Sequence, residues 1–148
     1  MKKIVIIILI LIAAIQFITI DKENPTADFN KDFIQITNPP EEFAQIIKSS
    51  CYDCHSYHTK YPWYSNVAPV SWLLKNHVED GRKHLNFSIW TDYKEAKKNH
   101  KIEECIEVIE SEEMPMKGYI LLHDEADLTP EQRKRLTTWF LSVLDTLK

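Results

Sequence analysis

Two glycines in 148 residues leave almost no material for tight hairpins. The stretch that leads into Cys51 is helical in period, with no alternating or Val/Ile-rich strand, and the chain reads as all-α. Three cysteines cannot all pair, which excludes a disulfide scaffold. No internal repeat or low-complexity segment occurs. A basic excess is also missing. The formal charge is -4, and without Lys2 and Lys3 the remainder carries 16 basic against 22 acidic residues, or -6, which argues against nucleic acid as a partner.

What is present begins with an apolar run from Ile4 to Ile20, broken only by Gln16 and Thr19, preceded by Lys2-Lys3 and followed by Asp21-Lys22-Glu23. Seventeen helical residues span about 25 Å, the lower limit for crossing a hydrocarbon core of about 30 Å. A cleaved signal peptide is the alternative, but no clean A-x-A site follows and no cysteine here can receive a lipid. The expectation is an uncleaved signal anchor over 1–20, with the paired lysines inside. That places the rest of the chain on the periplasmic side of a bacterial inner membrane, as a single-pass protein. Residues 21–37 read as a tether whose second half docks, and 38–148 as one domain with a single core.

Helices are expected at four places. Pro39-Pro40-Glu41-Glu42 opens one, with Phe43, Ile46, Ile47 and Ser50 on one face. A second runs from Pro69 to a stop at Gly81. A third covers about Lys101 to Glu112 and ends at Met114, because the residue before Pro115 is pushed out of the helical region. The last opens on Thr129-Pro130-Glu131-Gln132, a capping box with proline in the first turn, and carries Leu136, Trp139, Phe140, Val143, Leu144 and Leu147 as its stripe.

Between the first two helices stands Cys51-Tyr52-Asp53-Cys54-His55, the C-x-x-C-H spacing of covalent c-type haem attachment. Two thiols three positions apart reach two vinyl groups of one porphyrin edge, and the next residue is directed toward the metal. A structural zinc site would need four protein ligands, and Cys105 stands alone as the third thiol. A thioredoxin-like disulfide would sit beside a βαβ pattern, which is absent. The simplest accounting is two cysteines on one haem c and a core thiol at Cys105.

With His55 on one side of the iron, the ligand on the other decides the chemistry. Met114 is the first choice, 63 residues after Cys51, at a helix end before a proline. Met116 and His77 are its rivals, each with core packing as the plain alternative. His58 lies too close to His55 to reach the opposite ring face, and His84, His100 and His123 sit in polar surroundings that suggest solvation.

A longer pattern surrounds the motif: Tyr61-Pro62-Trp63-Tyr64, Ala68-Pro69-Val70-Ser71-Trp72, His77-Val78, Gly81-Arg82, Leu85 through Trp90, Met114-Pro115, Tyr119, His123, Leu128-Thr129 and Trp139. Taken in order over residues 35–148, it resembles the bacterial haem-binding domain family of small cytochrome-c-like proteins. The resemblance implies a helical domain around one covalent haem, with Cys51 and Cys54 as attachment sites and His55 as proximal ligand. Under it, Trp72 and Trp90 wall the porphyrin, Arg82 pairs with a propionate, and a carbonyl near Pro62 or Pro69 orients His55.

No acid/base pair or nucleophile constellation accompanies the motif. The reading is an electron carrier rather than an enzyme, serving redox partner proteins. A haem-based sensor with a weak distal ligand and a peroxidase-like site remain as alternatives.

Overall fold

The structure is a computed structural model that describes residues 1–147. Every regular element among them is helical: α1 (Lys2–Ile15), α2 (Phe33–Thr37), α3 (Glu41–Ser50), α4 (Tyr52–His55), α5 (Val70–His84), α6 (Glu95–Glu110), α7 (Lys117–Ile120) and α8 (Pro130–Thr146), with short 3₁₀ turns between. The α6–α8 and α4–α5 pairs pack together, and α2 lies against the 3₁₀ turn Phe87–Asp92.

Local chemistry sets the ends. At α8 the Thr129 hydroxyl accepts from the Gln132 amide (3.1 Å), while the Gln132 side chain accepts from the Thr129 amide (2.9 Å). The expected capping box is therefore formed. Helix α5 runs past Gly81 to His84, because Gly81 is helical and serves a close approach described below. Helix α6 begins at Glu95, earlier than the apolar spacing suggests, and stops at Glu110. Two residues on, Glu112 turns left-handed (φ 60°) and the Met114 amide reaches back to the Val108 carbonyl at 2.9 Å.

The core is aromatic. Phe33 lies edge-on to Trp90 (4.8 Å) and tilted against Phe87 (5.0 Å), with Phe140 of α8 closing the other side. The second half of the tether is thus core, held by Asp32, which caps α2 through the Ile34 amide (3.0 Å) and accepts from Tyr52 (2.9 Å), the residue after Cys51.

The membrane-crossing segment is overturned. Helix α1 has 14 residues, about 21 Å at 1.5 Å per residue. No helix among the described residues is long and apolar enough to cross a membrane, so the single-pass placement with a periplasmic domain falls as well. Past Ile15 the Gln16, Phe17 and Ile18 amides turn to carbonyls three residues back (3.1–3.2 Å), and the Gln16 side chain grips Ala68, accepting from its amide and donating to its carbonyl, both at 3.0 Å. Beyond it Ile18 is fastened by its carbonyl to the Trp72 indole (3.0 Å). Ile4 to Ile12 stand exposed on α1.

Candidate functional site

Cys51 ends α3 and opens α4 with a backbone that fits neither (φ -126°, ψ -39°), and its carbonyl accepts from the Cys54 and His55 amides at 3.2 and 2.9 Å. One turn then places Cys51, Cys54 and His55 at i, i+3 and i+4, on a common face. All three line a cavity of about 470 Å³, within the range of cofactor sites. Met114 and Met116 line it from the loop after α6, His77 and His84 from α5, and Cys105 from α6.

The orientation of His55 comes from α5. Its Nδ1–H donates to the Gly81 carbonyl (2.9 Å) and the Leu85 carbonyl (3.1 Å), which selects the tautomer whose Nε2 carries a free lone pair. Burial holds the imidazole below its usual value, so the ring is neutral, as a metal ligand requires. Neither the Pro62 nor the Pro69 region supplies the acceptor.

Gly81 permits this approach. A Cβ there would lie 2.7 Å from the Cys54 carbonyl oxygen, a backbone atom that cannot swing away. Gly81→Ala is expected to cost about 1–3 kcal/mol from overpacking, more than the roughly 1 kcal/mol alanine gains in a helix. Denaturant unfolding measures the difference, and a net gain in stability would mean that α4 and α5 stand further apart.

Burial raises both motif thiols, Cys51 to about 12 with Cys54 adding to it, and Cys54 to about 11 with the Asp53 charge adding to it. A disulfide oxidoreductase lowers its thiol to make a nucleophilic thiolate; these thiols stay protonated. Cys105 is raised further by burial. Among the described residues no group of three His, Cys, Asp or Glu side chains is arranged to hold a bare metal ion. Neither zinc nor thioredoxin chemistry suits the site.

Three expected cofactor contacts stand apart from the cavity lining. Arg82 spends its fork on the Ser56 carbonyl (2.8 Å), Asn24 (2.8 Å) and Thr59 (2.9 Å), leaving it bonded to loops rather than to a propionate position. Trp72 faces Ile18, and Trp90 is core, 1% exposed. Each was expected at the porphyrin from the family resemblance; Trp72 and Arg82 lie on a side of α5 other than the one that lines the cavity, and Trp90 lies in the 3₁₀ turn Phe87–Asp92, inside the core.

Other residues gather unexpectedly. Tyr119 of α7 lines the cavity and donates to Asp53 of the motif at 2.8 Å. Burial, with the Asp53 charge adding to it, keeps that phenol protonated. His123 stacks on Tyr119 (4.2 Å, 13°) and is largely buried rather than solvated. Its Nδ1–H donates to Glu125 (3.2 Å), so Nε2 accepts from Tyr64 (2.8 Å). His84 lines the cavity, while His100 pairs with Glu104 at the surface (3.2 Å).

Two thiols, a neutral imidazole with a free Nε2 and two thioethers around one apolar-walled space form a donor set suited to a haem. Comparison with curated proteins and with solved structures gave no match. A family model described as a haem-binding domain matches residues 10–142, nearly the whole chain, and the chain belongs to that haem-binding family.

Proposed function

We propose that this chain binds one haem covalently through Cys51 and Cys54, with His55 and Met114 as axial ligands, and works as an electron carrier. The observation that carries the reading is the two-carbonyl hold on His55 Nδ1, which leaves Nε2 free in the same cavity as both thiols and Met114. When bound, the haem supplies one-electron exchange at its iron. The protein orients the imidazole, excludes water with the apolar wall formed by Leu85, Phe87, Val108 and Phe140, and offers a soft thioether that favours the ferrous state. A net charge of -4 suits redox partners with basic faces.

Met114→Ala tests the distal assignment. The oxidised wild type should be low-spin with the red-end absorption of an iron–thioether bond. The variant should lose that band, bind carbon monoxide readily when reduced, and drop in potential by on the order of 0.1 V, a fraction of the roughly 0.8 V over which axial ligands act. Met116→Ala should change little. His77 lines the same cavity, so a spectrum unmoved by Met114→Ala but turned high-spin by His77→Ala reassigns the ligand. Carbon monoxide binding by the unaltered protein would instead favour a sensor with a weak distal ligand.

A further inference from the structure

The segment that carries Met114 is short and leaves a helix through a left-handed turn at Glu112, so something must fix where its side chain stands. One end is held by Arg133, whose NH1 donates to the Met114 carbonyl at 2.7 Å and to the Ile109 carbonyl at 3.0 Å. The other end continues from Met116 into α7, where the Met116 carbonyl accepts from the Tyr119 and Ile120 amides at 2.8 and 3.1 Å. Met116 and Tyr119 thus share one hydrogen-bonded turn. The Tyr119 hydroxyl in turn reaches Asp53, between the two motif cysteines, and Asp53 is itself steadied by the Lys60 amide at 2.9 Å on its other oxygen. Against the Tyr119 ring lies His123, fixed by Tyr64 and Glu125.

We infer that Tyr119 is a positioning residue for the distal ligand: its hydrogen bond to Asp53 ties the Met114–Met116 segment to the attachment turn itself. The attachment turn then carries His55, which α5 orients, and would hold the Met114 segment through Tyr119. The inference rests on the reading of Met114 as ligand. Its chemistry is that of an outer partner which touches no iron and yet decides how firmly a first ligand is held.

The test uses holoprotein matured with covalent haem and titrates the oxidised form with imidazole, which competes for the distal position. Tyr119→Phe keeps the ring and its stack on His123 and removes only the hydroxyl. It should bind imidazole about 10–100-fold more tightly than wild type, the range by which outer partners act, and its iron–thioether band should weaken. Asp53→Ala, which also frees the Lys60 amide, should do at least as much, and the double variant should be no worse than Asp53→Ala alone, since the Tyr119–Asp53 bond is already lost there. Thermal unfolding of the same proteins separates position from packing. If Tyr119→Phe lowers the melting temperature and leaves imidazole affinity and the band untouched, Tyr119 is structural only and the inference is overturned. Met114→Ala is the control for the underlying reading. If it raises imidazole affinity while Tyr119→Phe does not, Met114 stands as ligand and the positioning role falls; if it leaves imidazole affinity unchanged, the ligand reading falls and the positioning of that ligand falls with it.

Discussion

Replacing Cys51 and Cys54 together with alanine will leave a protein from which acidified solvent strips all the haem, whereas Cys105→Ala will keep it through denaturation. Burial keeps both motif thiols as S–H at neutral pH; under the proposed attachment each would add across a vinyl group, its sulfur to one carbon and its hydrogen to the other, so no electrons would be gained or lost. Cys105 shares the cavity but sits on α6, away from the turn that sets the i, i+3 spacing. Mass spectrometry of the denatured chain, expressed with cytochrome c maturation machinery, reads the outcome directly. A wild-type polypeptide lacking the mass of one haem would leave haem binding in place and remove covalent attachment.

The largest stability effect should come from residue 33, far from the motif in sequence. Phe33 is fully buried and touches Phe87, Trp90, Trp139 and Phe140 within 4.8 to 6.1 Å. Truncating such a phenylalanine costs about 3–5 kcal/mol, a large share of the roughly 5–15 kcal/mol that holds a domain together. Phe33→Ala should therefore lower the melting temperature by about 10–20 °C at this chain length. Loss should also reach the motif, since Asp32 binds Tyr52. An unchanged melting temperature would mean that residues 33–37 are a true tether, with the domain complete without them.

These two experiments mark where sequence reasoning reached and where it stopped. The helical class, the capping box at Thr129 and the proline-led start of α3 are local chemistry, readable from a few adjacent residues. Haem binding was legible for the same reason, because the motif occupies one turn. The acceptors of His55 lie 26 and 30 residues away, and their approach depends on α5 crossing α4 at a glycine that looked like a helix stop. The resemblance that puts Arg82, Trp72 and Trp90 at the porphyrin does not say which side of α5 meets the cavity, nor that the turn after α5 buries Trp90 in the core. The apolar run to Ile20 read as one helix because hydropathy cannot register that the segment after Ile15 docks on Ala68 and Trp72, more than fifty residues away. His123 looked solvated because its partners Tyr64 and Tyr119 join it only in three dimensions.

Arg82 splices three segments that are remote in sequence: Asn24 before the core begins, Ser56 and Thr59 after the motif, and α5 itself. Segments joined at one planar fork open together rather than one by one, so they form a single cooperative unit against fraying. A lysine would keep the charge and lose the splice, since a point charge cannot satisfy three acceptors arranged around a plane. Release of the chain at residue 24 and loosening of the loop behind the attachment turn are then one event, with one free energy.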